Sequence, residues 1–270
     1  MEWTQIDTVK GTHCRVLRGG TGPTGPGGHQ HGEQVVFFHG AGGLTDPDPL
    51  LERLAERYEV FAPELPGYGE STGEERLEDM LDFALHGWDV VDALGIERPS
   101  LVAHSMGAMI AGEMASICPE RVPKLALLAP AGLWLDEHPI ADMFATLPQQ
   151  LPELLFHDPA AGAATMTGGV DFSDMDALVA FFITNAKRLG TAGKMLFPIP
   201  NRRLSKRLYR LRAETLLVWG ESDRMIPPVY AERWQELVPG AELVTVGEAG
   251  HMLTIEQPDA VASAIEKFFG

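Results

Sequence analysis

Seven short strand-like runs of four or five residues alternate with longer stretches in which apolar residues recur at helical spacing. The runs fall at residues 13–17, 34–38, 58–62, 99–103, 124–128, 216–219 and 243–246. A chain built this way buries both faces of its strands as a mostly parallel sheet with helices packed on either side. Helical patterns lie at 49–57, 76–94, 106–117, 228–237 and 258–269. The first carries Leu50, Leu51, Leu54 and Ala55 on one face, Gly95 supplies a stop after the second, and Pro119 follows the third. The expected fold class is α/β, with a mostly parallel central sheet and helices on both faces.

Composition narrows the function classes. The chain has 270 residues, a length that α/β folds reach as one unit, and 45% of them are hydrophobic, which excludes an intrinsically disordered chain. With 21 Lys and Arg against 38 Asp and Glu, the net charge is −17, and that balance opposes a nucleic-acid partner. The longest apolar stretches, such as 125–131, fall well short of the roughly 20 residues of a membrane-spanning helix. The segment Met1-Glu2-Trp3-Thr4-Gln5 has neither the basic nor the apolar part of a secretion signal, so a cytoplasmic location is expected. Cys14 and Cys118 then read as free thiols in a reducing compartment.

Two stretches break the alternation. Residues 19–32 are dense in glycine and proline and read as a surface connection. His29 and His31 within it lack a carboxylate or thiol cluster and read as solvent-exposed rather than as metal ligands, so no metal is expected. Residues 133–212 show helical patterns, many Phe, Leu and Met, and no strand. This span divides by charge: 133–186 holds eight acids and no Lys or Arg, and 187–212 holds nine Lys and Arg and no acid. The simplest reading is two solvated helix faces paired with each other. The functional reading is a helical cap whose apolar inner side lines a pocket. The expected domains are thus a core formed by 1–132 and 213–270 and a cap at 133–212.

The chemistry-bearing residues sit where strands end. Ala103-His104-Ser105-Met106-Gly107 joins an apolar run to a helical pattern, with small residues two positions to either side of the serine. That context suits a nucleophile on a tight strand-to-helix turn. A serine hydroxyl needs a base at neutral pH, and His251 in Glu248-Ala249-Gly250-His251-Met252 is the candidate. His104 neighbours the serine and would point elsewhere, and His39 reads as a support for its own loop. Asp223, after the run 216–219, is the acid expected to orient the base, with Glu221 as its competitor. The loop Phe37-Phe38-His39-Gly40-Ala41-Gly42-Gly43 could turn the Ala41 N–H toward an oxyanion, beside that of Met106. It lacks the spacing and the lysine of a nucleotide-binding turn.

Together, His39-Gly40-Ala41-Gly42-Gly43, the serine motif, Gly220-Glu221-Ser222-Asp223-Arg224-Met225-Ile226-Pro227-Pro228 and Gly250-His251-Met252 resemble the α/β-hydrolase superfamily in residue type and order. The segment 64–71 resembles a further motif of that group. Two departures are Ala103 in place of glycine and Glu64 in place of aspartate, the latter expected to alter loop packing rather than chemistry. The resemblance implies a cap-bearing serine hydrolase that needs no cofactor. Serine at the elbow sets it apart from relatives that open epoxides or cleave haloalkanes, which carry aspartate there. Cleavage of small to medium apolar carboxylic esters through an acyl-enzyme is the first expectation. The alternative is carbon–carbon bond hydrolysis of ring-fission products, and a non-catalytic receptor on the same fold is the remaining class. Trp134, Met143, Phe144, Phe156, Phe181, Phe182, Met195 and Phe197 are candidates for core or pocket in the cap. The oligomeric state is not legible.

Overall fold

In the computed structural model, which describes residues 1–20, 33–197 and 203–270, eight strands form one sheet. They are β1 (Glu2–Asp7), β2 (His13–Gly19), β3 (Gln34–Phe38), β4 (Glu59–Pro63), β5 (Ser100–His104), β6 (Lys124–Leu128), β7 (Glu214–Gly220) and β8 (Glu242–Val246). Their order is β1-β2-β4-β3-β5-β6-β7-β8, antiparallel from β1 to β4 and parallel from there on. All five residues of β5 are buried, which requires cover on both faces of the sheet. That cover comes from α1 (Pro49–Ala55), α2 (Met80–Ala93), α3 (Met106–Ile117), α7 (Val229–Leu237) and α9 (Pro258–Phe269), with α1 packed on α9 and α2 on α3.

The expected fold class holds, and all seven expected strand positions agree within two residues at each end. The sequence reading missed β1. Only part of its surface is buried, because it is an antiparallel edge strand whose alternation is weak, and Trp3 is held there by Arg15 stacked 3.8 Å above its ring. His29 and His31 lie outside the described residues.

Between β6 and β7 the described residues contain no strand. They form α4 (Leu151–Leu155), α5 (Pro159–Thr167) and α6 (Met175–Leu196), with aspartates capping the last two: Asp158 accepts from the N–H groups of Ala160 and Ala161, and Asp174 from those of Asp176 and Ala177. Three cations of the basic half reach the core, contacts that the simplest expectation did not include. Lys187 pairs with Glu74, Lys194 donates to the carbonyls of Glu74 and Leu77, and Arg207 forms a two-pronged pair with buried Glu113 on α3. Buried Thr191 fits against Gly67, where a Cβ would lie only 2.0 Å from its hydroxyl oxygen. A guanidinium that satisfies both oxygens of a buried carboxylate gains more than one on a solvated surface. Among the expected apolar candidates, Phe156 and Met195 are buried, and Phe182 and Phe197 are exposed.

Parallel pairing places the C-terminal ends of β3, β5, β7 and β8 on one edge of the sheet. Loops carrying His39, Ser105, Asp223 and His251 therefore emerge side by side, at the edge where open α/β sheets bind their ligands.

Candidate active site

Ser105 sits between β5 and α3 with φ 53° and ψ −114°, a backbone conformation that side-chain-bearing residues rarely adopt. The turn is possible because of its neighbours. A Cβ on Gly107 would lie 2.2 Å from the carbonyl oxygen of Phe38, so only glycine lets α3 start this close to β3. Ala103 is fully buried and pairs with Phe38 and Leu127 across the sheet, so its methyl is absorbed by the core.

The structure brings together the three residues singled out from the sequence. His251 Nε2 lies 2.8 Å from Ser105 Oγ, and His251 Nδ1 lies 2.8 Å from Asp223 Oδ2. The other carboxylate oxygen of Asp223 accepts from the N–H groups of Met225 and Ile226 at 2.9 and 2.8 Å. Asp223 and His251 are buried, and Ser105 is partly open. A carboxylate accepts at Nδ1, so that nitrogen carries the proton and Nε2 is left as an acceptor for the serine hydroxyl. Glu221, the competing acid, is exposed.

The loop after β3 touches the serine: a Cβ on Gly40 would lie 3.3 Å from Ser105 Cβ. Its shape is fixed by His39. The ring donates from Nδ1 to the Gly40 carbonyl at 2.8 Å and accepts the Leu65 N–H at Nε2 at 3.1 Å, which fixes a neutral tautomer. Burial drives His39 down to about 4, against the pull of its bond to Gly40. The Gly40 carbonyl also accepts from the Gly43 N–H at 3.1 Å. In a trans peptide the following N–H points opposite that carbonyl, so the Ala41 N–H is turned away from these bonds. Neither the Ala41 nor the Met106 N–H has an intramolecular acceptor among the described residues.

His104 points away from the serine, as expected, and donates from Nε2 to the His251 carbonyl at 2.8 Å. Its ring is fully buried and is held neutral, down to about 3, by desolvation first and by its histidine neighbours next. Glu64 lies against Gly69, where a Cβ would sit 2.0 Å from its carboxylate, and takes bonds from Arg15 and the Glu70 N–H. Sequence reasoning missed Arg188 of α6. Its guanidinium donates to the Gly42 carbonyl at 2.8 Å and to Asn185, and it stands beside the buried hydroxyl-bearing ring of Tyr68. In the sequence it is one of nine cations in the basic block 187–212, and nothing there singles it out.

A hydrogen-bonded serine–imidazole–carboxylate chain beside two unclaimed N–H groups is competent for acyl transfer. The chain belongs to the alpha/beta hydrolase family, whose model matches residues 35–264. It is 28% identical over 274 residues to the dihydrolipoyllysine-residue acetyltransferase component of the acetoin cleaving system from Cupriavidus necator, covering 98% of this chain and 69% of that protein. It is 29% identical over 252 residues to a 2-hydroxy-6-oxo-6-phenylhexa-2,4-dienoate hydrolase of Burkholderia cepacia, covering 85% of each. Among solved structures, a meta-cleavage product hydrolase from Pseudomonas fluorescens superposes with a TM-score of 0.78 at 22% identity, covering 98% of this chain and 97% of that one. No helix among the described residues is long and apolar enough to cross a membrane.

Proposed function

We propose that the protein is a serine hydrolase that cleaves carboxylic esters of small to medium apolar acids through an acyl-enzyme. The observation that carries this reading is the unbroken chain from Asp223 through His251 to Ser105, with both links at 2.8 Å. Ser105 Oγ attacks the ester carbonyl as its proton passes to His251 Nε2, and Asp223 stabilises the imidazolium formed. The tetrahedral oxyanion is met by the N–H groups of Ala41 and Met106. Collapse breaks the ester C–O bond, and His251 returns the proton to the departing alcohol. Water then repeats the sequence on the acyl-enzyme, releasing the acid and restoring the serine. No cofactor enters these steps. Residues 133–212 act as the cap, which shapes the pocket for a small-molecule substrate.

A second reading, hydrolysis of a carbon–carbon bond in a ring-fission product, is favoured by Arg188. A half-buried guanidinium beside the oxyanion loop suits a substrate that carries a carboxylate, and relatives named as dienoate hydrolases act on such acids. The deciding experiment presents p-nitrophenyl esters of increasing acyl length beside one vinylogous diketone acid. A p-nitrophenol burst with kcat/KM highest on an ester supports the first reading. Preference for the diketone, lost in Arg188→Gln, replaces it with the second. Absence of a burst and of turnover on every compound would sink both.

A further inference from the structure

One short segment of the helical insertion, residues 153–158, touches the sequence neighbours of both Asp223 and His251. On the acid side, Ser222 Oγ lies 2.8 Å from His157 Nδ1, and Arg224 donates to the carbonyls of Glu153 and Phe156 at 3.0 and 3.1 Å. On the histidine side, the Met252 N–H donates to the Leu155 carbonyl at 2.9 Å. Gly250 lies flat against the same strip: a Cβ there would come within 2.8 Å of the Leu155 oxygen, the Phe156 carbonyl carbon and the His157 nitrogen. The carboxylate of Glu256, on α8 (Leu253–Glu256), closes the arrangement. One oxygen accepts from the N–H groups of His157 at 2.7 Å and Asp158 at 3.4 Å, and the other accepts from Gly250 at 2.7 Å. Buried Phe156 anchors the strip by packing on Gly162, where a Cβ would lie 2.3 Å from its ring.

We infer that residues 153–158 form a splint across the acid and histidine loops, and that Glu256 is a positioning residue that ties the splint to the backbone beside His251. The inference rests on the assignment of Asp223 and His251 made above, and it changes the expected part of the cap. The insertion supports the proton-transfer couple as well as shaping the pocket. The physical reason lies in the two loops themselves. Asp223 is oriented by N–H groups of its own turn, and His251 has only its ring contacts and a carbonyl held by His104. The two loops leave neighbouring strands and bond each other directly through the Ser222 N–H and the Ala249 carbonyl at 2.9 Å, and residues 153–158 brace both from the insertion side. Catalytic geometry tolerates about 0.5 Å of drift, and a misplacement near 1 Å costs about a hundredfold in rate. A carboxylate can serve the cap on one oxygen and the histidine loop on the other, whereas an amide keeps only one acceptor oxygen.

The test compares Glu256→Gln and Arg224→Ala with Leu147→Ala, a change at an exposed insertion residue outside the splint. Each is assayed on the best substrate for kcat and KM, and the low-field proton signal of the Asp223–His251 hydrogen bond is followed by NMR. Glu256→Gln is expected to lower kcat about a hundredfold with KM within about threefold. The low-field signal should broaden, because the histidine loop loses the acceptor that holds the Gly250 N–H. Arg224→Ala should show the same pattern at about tenfold, and Leu147→Ala should match the parent. Folded Glu256→Gln with parental kcat and signal overturns the splint. So does a rate loss that only tracks the folded fraction with the low-field signal unchanged. Should Glu256→Gln fail to fold, Arg224→Ala decides by the same criteria. Ser105→Ala and Asp223→Asn separate the two levels: if either retains parental activity, the assignment beneath the splint is what has failed.

Discussion

The sheet edge and the helical insertion solve opposite problems with the same chain. At the sheet edge, β3, β5 and β7 are buried along nearly their whole length, and most of the site residues are fixed by groups close to them in the fold. Gly107 permits the Ser105 turn, His39 fixes the peptide before Ala41, and Met225 and Ile226 orient Asp223. The insertion has exposed apolar side chains along α6, among them Met175, Val179, Phe182 and Ile183, and is tied to the core at a few polar points. A rigid edge can hold reacting atoms within tenths of an ångström, and a helical strip held at points can vary its inner lining. On the function proposed above, the difference teaches that chemistry and selectivity would occupy separate elements, joined at residues 153–158.

The largest expected effect tests the edge. Ser105→Ala should leave the fold intact and lower ester turnover by about 10⁴-fold or more, measured beside circular dichroism. A variant that keeps a tenth of the parental rate would remove the serine from the chemistry. Asp223→Asn should cost on the order of 10⁴ in kcat, with Glu221→Gln near the parent, and the reverse ranking would reassign the acid. A third measurement sets the two regions against each other. Phe156→Ala opens a void against Gly162 and should destabilise the protein by about 3–5 kcal/mol, read from denaturant midpoints. Phe182→Ala, at an exposed position, should change stability by under about 0.5 kcal/mol.

Protonation provides a fourth test. His39 and His86 are held down to about 4 and His104 to about 3, chiefly by desolvation. The unfolded chain binds protons at these rings once the pH falls below about 6.5, and the folded chain does not until near pH 4 or lower. This stabilisation is complete above pH 6.5 and is lost as the pH drops through that window, at about 1.4 kcal/mol per ring for each pH unit. Melting temperature should therefore fall from pH 7 to pH 4, and His86→Gln should flatten the slope. The smallest effect belongs to the pocket. Phe182→Ala and Phe144→Ala should shift the ratio of kcat/KM between short and long esters by about tenfold, and an unchanged ratio would make the insertion purely structural.

The sequence made the edge legible because its constraints are local. A small residue on each side of Ser105, glycines after His39 and an acid after β7 each leave a mark in residue type. The insertion was legible only in outline. Its cations read as solvated faces because nothing in their spacing shows that Glu113 and Glu74 stand opposite them in the fold. Glu256 escaped notice for a related reason: its three partners are backbone N–H groups, which no side-chain pattern records. Strand β1 was missed because an edge strand with little burial has little hydrophobic alternation to display.

The turn at Ser105 has a consequence for how this protein can change. Holding a serine at φ 53° costs about 1–3 kcal/mol, and glycine would relieve that strain at an entropic cost of about 0.5–1 kcal/mol. Selection for durability alone would thus favour replacing the side chain that the proposed mechanism uses as nucleophile. Persistence of serine at this position is a running expense that only a useful reaction justifies, and a lineage that abandoned catalysis would be free to drift toward a more stable, silent relative.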